Sequence, residues 1–188
     1  MIKFLLKVII LILFSLVEHN YSNALVSTSI VYEGTYIYDK YNVDKLYYEH
    51  KLHHPKLTEE MFYHILTMHD ETGIDIYLIC NLIQAESAFY PNIWGRNTNG
   101  SIDKGLMMLN NFYYDEFSKK YYEGQFFDPF NIKDNITIGC RILKSHLDEL
   151  NDTYLALCAY NCGLYTVKKN RIPQVTYDYA LKILSNIY

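Results

Sequence analysis

Twenty consecutive residues, from Ile76 to Gly95, contain a single charged side chain, Glu86. Apolar residues occupy nearly all positions of the first half of this stretch, so a helix formed there has no polar face. Such a helix is stable only when other elements cover it on all sides, which predicts a buried helix at the centre of a globular fold. A lone carboxylate near the C-terminal end of that helix needs its own explanation.

Burial of a carboxylate removes the water that solvates its charge, and the usual consequence is a raised pKa that keeps the group protonated. The negative end of the helix dipole acts in the same direction. A carboxylic acid that is protonated near neutral pH is the group that general acid catalysis needs. The sequence leaves a structural alternative open, in which Glu86 pairs with Arg96 or points to solvent where the helix ends.

Capping residues predict two helices before residue 90. Thr58 is placed to cap a helix that Gly73 ends, with Glu59 and Glu60 in its first turn. Asp75 is placed to cap the next helix, which runs to about Ala88.

Apolar periodicity and caps predict the helices of the second half. Thr153 begins a helix that Gly163 ends, and Thr176 is predicted to cap the last one. Convincing strand alternation is absent after residue 58. We therefore predict an all-α globule of five or more helices over residues 58–188. A long helix over 132–150 is indicated by apolar residues at steps of three and four: Ile132, Ile136, Cys140, Leu143, Leu147 and Leu150.

Residues 1–24 have the features of a secretory signal peptide. Lys3 and Lys7 precede an apolar run over 8–17, and the small residues Ser22 and Ala24 precede a cleavage site at Leu25. The run is shorter than the roughly 20 residues that a membrane-spanning helix needs. The mature protein is therefore expected to be exported to the periplasm, the cell envelope or the extracellular space, without a stable membrane span once the signal is removed.

Residues 25–57 form a Tyr-rich N-terminal arm without a clear period, for which we expect irregular or partly extended structure. The cluster of His50, His53 and His54 has no carboxylate at metal-ligand spacing beside it, so a surface arm is favoured over a metal site. No motif elsewhere in the sequence indicates a metal or an organic cofactor, and none is expected.

The charge and the cysteines restrict the class of protein further. The chain has 17 Lys and Arg against 21 Asp and Glu, a net charge of −4, which argues against nucleic acid as a partner. The short basic run over 168–171 is interpreted as a solvated turn. Cys80, Cys140, Cys158 and Cys162 lie in helix-like or apolar stretches, so buried free thiols are favoured over disulfides, although export permits both.

Two further segments are candidates to line a groove. Residues 97–110 begin with the Asn-Gly turn chemistry of a loop, and Gly105 permits close backbone approach before a short apolar turn. Residues 153–167 contain no charge, and Tyr160 and Asn161 stand just before Gly163. These two side chains either face the groove that contains Glu86 or hydrogen-bond to neighbouring backbone in the core.

Four segments, in this order along the chain, together resemble the lytic transglycosylases of the SLT type, which share the goose-type lysozyme fold. The resemblance covers residues 58–188. The Asn-Gly-Ser-Ile-Asp insertion before Gly105 and the segment 127–131 are most similar to small members associated with envelope-spanning secretion and pilus machines. The segments are Gln84-Ala85-Glu86-Ser87, Gly105-Leu106-Met107-Met108, Ala159-Tyr160-Asn161-Cys162-Gly163, and Ile172-Pro173 with Thr176 and Tyr179.

The resemblance implies an all-α, lysozyme-like domain that cleaves the β-1,4 bond between N-acetylmuramic acid and N-acetylglucosamine in peptidoglycan strands, without a cofactor. Glu86 matches the catalytic acid of this family. It protonates the glycosidic oxygen and then accepts the proton of the muramyl 6-hydroxyl, which attacks C1 and closes a 1,6-anhydro ring. One group that acts first as acid and then as base accounts for the lone carboxylate.

The resemblance also assigns the other site residues. Ser87 matches the serine that supports the loop around the acid, and Tyr179 matches a late tyrosine whose hydroxyl lies near the acid. Asn97, Ser101 and Asp103 are candidates to reach the muramyl group. The residues assigned to the cleft wall and sugar sites are Gly105, Leu106, Met107, Met108, Tyr160 and Asn161.

The sequence departs from the family pattern at three positions. Met108 stands where the family usually has Gln, Tyr177 where it has Arg, and Cys162 where Ala is common. The loss of the Gln amide removes a hydrogen-bonding group from the cleft. We expect this loss to change substrate preference or slow turnover, because Glu86 and Tyr160 remain.

Two other functions stay open at this point. The first is a hydrolytic muramidase that uses water, with Asp103 or Asp128 as a second carboxylate; inverting glycosidases hold the two carboxyls roughly 6.5–9.5 Å apart. The second is a catalytically weak peptidoglycan-binding scaffold of an envelope machine, which only the replacement at Met108 favours.

Overall fold

The computed structural model describes residues 29–31 and 37–185, with side chains from Asn42 onward. The chain divides into two compact units, Met1–Leu46 and Tyr47–Tyr188. The predicted signal peptide, residues 1–24, lies outside the described residues. Within the described part, no helix combines the length and the apolar character needed to span a membrane.

The first unit contains a short antiparallel strand pair, β1 (Ser29–Val31) with β2 (Ile37–Asp39). Helix α1 (Lys40–His53) follows and crosses the boundary between the units. The expectation of an irregular or partly extended arm therefore holds for the strands but is wrong from residue 40 onward. Lys, Leu and Glu favour this helix, and it escaped notice because it shows no single apolar face.

The histidines at the end of α1 also correct the sequence analysis. His50 and His54 are buried, with 0% and 4% of their surfaces exposed, whereas a surface arm was expected. Only His53 of the three is exposed.

The two helices predicted before residue 90 are confirmed. In α2 (Glu59–Thr72), Thr58 Oγ1 accepts from the Met61 amide at 3.2 Å, and Gly73 ends the helix in the left-handed conformation. In α3 (Ile76–Ser87), Asp75 Oδ1 accepts from the Leu78 amide at 3.2 Å. Helix α3 is buried on most sides, as its composition predicted.

A small antiparallel sheet follows α3. Its strands, in spatial order, are β3 (Trp94–Arg96), β4 (Ile102–Lys104) and β5 (Leu109–Asn110). This sheet was not predicted from the sequence, because strands of two or three residues are too short to show alternation. A 3₁₀ turn (Asn111–Tyr113) and α4 (Tyr114–Tyr121) complete this region.

Between residues 132 and 185, the described chain forms four helices: α5 (Ile132–Leu150), α6 (Thr153–Cys162), α7 (Leu164–Lys168) and α8 (Gln174–Leu184). The predicted bounds of α5 and α6 are confirmed. The prediction that Thr176 caps the last helix is wrong, because α8 begins after Pro173 and Thr176 is fully buried inside it. Among the described residues, far more lie in helices than in strands, which confirms the all-α class.

The core of the second unit is centred on α3. The Asn81 side chain donates to the Ile183 carbonyl at 3.4 Å and so joins α3 to α8. All four cysteines are free thiols; Cys80, Cys140 and Cys158 are buried and Cys162 is partly buried. The preference for buried free cysteines is thus confirmed for the first three.

Candidate active site

Glu86 lies in the last turn of α3, and the chain leaves the helix through Ala88 in the left-handed conformation. The side chain is partly buried, and the Tyr179 hydroxyl of α8 donates a hydrogen bond to Glu86 Oε1. Of the described side chains, Tyr179 rather than Arg96 is its partner, so the alternative of an ion pair with Arg96 is not adopted.

The surroundings of Glu86 raise its pKa to about 7. Loss of solvation on burial is the largest cause, and the negative charge of Asp103 adds to it, while the hydrogen bond from Tyr179 opposes both. A carboxyl group with this pKa is protonated in a large fraction of molecules at neutral pH, and it is a stronger base than an ordinary glutamate once it has lost the proton.

Tyr179 remains a hydrogen-bond donor at every physiological pH. Its pKa is raised, first by burial and then by the charge of Glu86. Because its proton is directed at Oε1, the second carboxyl oxygen of Glu86 is left to carry the exchangeable proton.

Tyr160 fixes the loop between β4 and β5. Its hydroxyl donates to the Met107 carbonyl at 2.8 Å, joining α6 to this loop. Burial, followed by the charge of Glu86, raises the pKa of Tyr160 well above its ordinary value. Of the two alternatives for Tyr160, the hydrogen bond to backbone is present, and a position facing the groove stays a prediction.

Gly105 occupies a place that no other residue fits. Its φ is +80°, and a Cβ atom there would lie 2.2 Å from Asn135 Nδ2 and 2.2 Å from the Pro129 carbonyl oxygen. The predicted close backbone approach at this glycine is therefore present.

Asn135 organises the loop and was missed by the sequence analysis. Its Oδ1 accepts from the Met107 amide at 2.7 Å, and its Nδ2 donates to the carbonyls of Lys104 at 3.0 Å and Pro129 at 2.7 Å. The available signal was an amide next to Ile136 on the apolar face of α5, where a polar side chain has to find buried partners.

Asp103 is held on the sheet by two amide groups. Asn97 Nδ2 donates to Oδ2 at 2.8 Å, and Asn110 Nδ2 donates to Oδ1 at 2.7 Å. Both amides also donate to Ser101 Oγ, at 3.0 Å and 2.8 Å. Asn110, which the sequence analysis did not select, thus belongs to the same network as the three candidates for contact with the muramyl group.

The remaining predicted site residues differ in accessibility. Ser87 is buried, and its hydroxyl donates to the Ile83 carbonyl at 3.1 Å, so it supports the end of α3. Leu106 and Met107 are fully buried, so their side chains do not reach the surface of a cleft. Met108 is partly exposed, has a φ of +48°, and lies near Gly95 of β3.

Asn161 lies at the end of α6 with its amide oxygen engaged. Thr176 Oγ1 donates to Asn161 Oδ1 at 2.7 Å, which leaves the NH₂ group available to a ligand. Asp128, the other candidate for a second carboxylate, is exposed and its Oδ1 accepts from the Phe130 amide at 2.9 Å.

A search for metal ligands among the described residues finds no group of three or more His, Cys, Asp or Glu side chains that could hold an ion.

Comparison with protein families gives one match, the Transglycosylase SLT domain, over residues 65–181. No curated protein sequence matches the chain. The solved structure of an inactive mutant of lytic transglycosylase Slt from Pseudomonas aeruginosa is similar, with 20% identity and a TM-score of 0.58; the match covers 72% of this chain and 24% of the solved one.

The 70-kDa soluble lytic transglycosylase of Escherichia coli is similar too, with 18% identity and a TM-score of 0.59, over 76% of this chain and 25% of the solved one. A complex of the 70-kDa soluble lytic transglycosylase with bulgecin A has a TM-score of 0.52 at 18% identity. This chain therefore spans about a quarter of the length of these proteins. At these identities the likeness concerns the fold, the helical lysozyme-like one.

Proposed function

This chain belongs to the Transglycosylase SLT domain family, and from that membership we propose that it is a peptidoglycan lytic transglycosylase. It cleaves the β-1,4 bond between N-acetylmuramic acid and N-acetylglucosamine and leaves 1,6-anhydro-muramyl ends. The observation that carries the proposal is the setting of Glu86, a partly buried carboxyl with a pKa of about 7 and one oxygen bonded by Tyr179.

The first step uses Glu86 as an acid. The proton on its free carboxyl oxygen passes to the glycosidic oxygen while the bond from C1 to that oxygen breaks, and the N-acetylglucosamine part leaves as an alcohol. Positive charge develops at C1, and Glu86 is left as a carboxylate.

The second step uses the same group as a base. The carboxylate accepts the proton of the muramyl 6-hydroxyl, and that oxygen forms a bond to C1 and closes the anhydro ring. Glu86 is protonated again, so the cycle is complete without water as a reactant. A pKa near 7 serves both steps, because neither the proton's loss nor its recovery is strongly uphill at neutral pH.

The other residues are proposed to bind the strand or to support the acid. The exposed amide NH₂ of Asn161 and the side chain of Met108 are in a position to contact sugar, and Tyr160 contributes its ring. Gly105, Leu106 and Met107 contribute through the backbone of the β4–β5 loop, since the last two side chains are buried. Ser87 supports the turn that follows Glu86.

The site of action follows from the substrate. Peptidoglycan lies outside the cytoplasmic membrane, so we propose that residues 1–24 direct export and that the protein acts in the periplasm or cell envelope. Opening of the wall is what an envelope-spanning secretion or pilus complex requires, and such a complex is the proposed partner.

A hydrolytic muramidase is the second candidate, and the position of Asp103 favours it. The negative charge of Asp103 raises the pKa of Glu86, so of the two candidates Asp103 is the carboxylate that we propose as the partner of the acid. Two amide donors, from Asn97 and Asn110, hold both oxygens of its carboxyl group in place, and a glycosidase that uses two carboxyl groups needs the second one held in a fixed position.

Mass spectrometry of the fragments released from purified peptidoglycan tests both candidates. The wild-type chain is expected to release muramyl products lighter by one water than ordinary reducing ends, and the Glu86→Gln variant to release none. Reducing ends from the wild type support the muramidase. Binding of peptidoglycan without any release supports a scaffold and contradicts both enzymatic proposals.

A further inference from the structure

Two buried imidazoles lie outside the active site, those of His50 and His54, which expose 0% and 4% of their surfaces. Neither ring nitrogen of His50 makes a hydrogen bond within the described residues, and the hydrogen-bonding side chain beside His54 is that of Gln84 in α3. Buried polar groups are usually paired, so an unpaired imidazole with a second buried imidazole one helical turn away is an uncommon arrangement. An imidazole without acceptors tolerates burial only while it is neutral.

These two rings connect the segment 47–54 to the catalytic helix. The ring of His50 lies 4.1 Å from that of Tyr77 in α3 and 5.6 Å from that of Phe62 in α2, measured between centroids. The ring of His54 lies 5.2 Å from that of Phe89. A neutral imidazole packs well among aromatic rings, whereas a charged one in the same place has neither water nor a counter-ion in contact.

Phe89 belongs to the turn that follows Glu86 at the end of α3. Ala88 and Phe89 are both left-handed, with φ of +50° and +62°, and neither is a glycine. Each such residue costs energy, and the conformation persists only where packing enforces it. Phe89 is 2% exposed, and His54 supplies part of the packing that holds it.

The charged groups around the two imidazoles do not cancel the lowering of the imidazole pKa values that burial causes. Burial is the main cause that lowers the pKa of His50, to about 4; His54 and His53 lower it further, while Asp75 and Glu49 raise it.

The pKa of His54 is also lowered, mainly by burial and further by His53, while a hydrogen bond with the Gln84 side chain in α3 raises it. The other titratable side chain in contact with these imidazoles is the phenol of Tyr77 in α3, which packs against His50.

We propose that His50 and His54 form a pH-sensitive latch, which holds the turn after Glu86 while both rings are neutral and releases it when they are protonated. A loss of catalytic activity on release of this turn rests on the proposed function, whereas the release of the turn on protonation does not. Below pH 6.5, the released segment binds protons that the packed segment excludes. The equilibrium constant for opening therefore rises as pH falls, by up to tenfold per pH unit for each histidine.

Hydrogen–deuterium exchange of the full chain between pH 7.5 and 5 tests the release. We expect the opening constant of peptides from 47–57 and 87–92, corrected for the intrinsic pH dependence of exchange, to rise at least tenfold. A reference peptide from α6 is expected to change less than threefold. Equal behaviour of all three regions would overturn the proposal.

The double variant His50→Phe, His54→Phe removes the titrating groups and keeps the aromatic packing. Its opening constant is expected to be independent of pH over this range, while the control His53→Asn keeps the wild-type dependence. If the double variant retained the wild-type pH dependence, the latch would be wrong. Should that variant fail to fold, the imidazole pKa values of the wild type, measured by NMR, decide: both below 5.5 support the latch, and either at 6.5 or above overturns it.

Turnover of peptidoglycan separates this inference from the proposed function. Acid-induced loss of activity below pH 6 is expected in the wild type and the His53→Asn control, and is expected to move at least one pH unit lower in the double variant. A chain that shows the exchange behaviour but never cleaves peptidoglycan keeps the latch and refutes the proposed function. A chain that cleaves peptidoglycan but lacks the pH-dependent exchange refutes the latch and leaves the proposed function intact.

Discussion

The hydroxyl of Tyr179 donates to Oε1 of Glu86 and so joins two residues 93 positions apart in the chain. This bond ties the last helix to the end of the most buried one, and it leaves one carboxyl oxygen of Glu86 for proton exchange. The acid is therefore held by the assembled fold, and its pKa reflects the balance between burial, Asp103 and Tyr179.

Glu86→Gln is expected to abolish turnover and to stabilise the protein at alkaline pH. Loss of a general acid lowers kcat by about 10²–10⁴-fold. The folded-state pKa of Glu86 is about 7 and its ordinary value is 4.5, so the folded state holds a proton that the unfolded state loses between these values. Its contribution to stability is present below pH 4.5 and is lost as pH rises through 7.

The variant should therefore match the wild type in urea unfolding at pH 4.5 and exceed it at pH 8. The expected gain is about 3 kcal/mol, since the pKa rises from 4.5 to about 7 and each pKa unit corresponds to about 1.4 kcal/mol. An equal free energy of unfolding at pH 8 would show that burial of Glu86 costs little.

Tyr179→Phe is expected to move the alkaline limb of the pH–rate profile to higher pH. The hydrogen bond from Tyr179 favours the carboxylate of Glu86, so its removal raises the pKa, by about one unit for a bond to a charged group. We also expect kcat to fall at pH 6, because the carboxyl loses the partner that orients it. The matched control is Tyr177→Phe, whose ring stacks on Tyr154 at 5.9 Å. A limb that moved to lower pH would contradict this account.

Asp103→Asn is expected to move the same limb in the opposite direction. Removal of the negative charge lowers the pKa of Glu86, because the charge of Asp103 now raises it. Asp128→Asn, the control, is expected to leave the limb in place.

The products of Asp103→Asn separate the two enzymatic mechanisms. If Glu86 acts alone, the variant still releases anhydro products, at a reduced rate. If Asp103 is the second carboxylate of a muramidase, hydrolysis falls by several orders of magnitude and the residual products carry ordinary reducing ends.

Capping residues and apolar periodicity in the sequence predicted those helices whose ends are determined by neighbouring residues. The helix over 59–72 is bounded by Thr58 and Gly73, both visible in the sequence, and the structure places its ends there. The lone charge at Glu86 likewise predicted a buried carboxyl with a raised pKa, because burial follows from composition alone.

The parts that the sequence did not predict depend on contacts between distant segments. Asn135 bonds to Met107, 28 residues away, and nothing near Asn135 in the sequence announces that partner. Threonine is a residue type that often caps helices, which is why Thr176 was predicted to begin the last one. In the structure its hydroxyl donates to Asn161 instead, and the helix begins at Gln174, after Pro173. Strands β3 to β5 are only two or three residues long, too short to leave a periodic pattern in the sequence.

Gly105→Ala is expected to destabilise the fold through the loop that Tyr160 and Asn135 hold. The new Cβ would lie 2.2 Å from the Pro129 carbonyl oxygen, and backbone cannot yield as a flexible side chain does. The φ of +80° adds strain of about 1 kcal/mol, and displacement of Asn135 would leave the Met107 amide unsatisfied. We expect a total loss of roughly 3 kcal/mol or more in the free energy of unfolding.

The matched control is Gly124→Ala. Gly124 has a φ of +81°, and no heavy atom lies within 4 Å of the place where its Cβ would be. The control therefore carries the backbone strain without the collision, and it is expected to cost only about 1 kcal/mol. Urea unfolding of both variants separates the two causes. Equal losses would mean that strain alone makes glycine necessary at 105 and that the loop yields to a methyl group, in which case Gly105→Ala should also retain turnover.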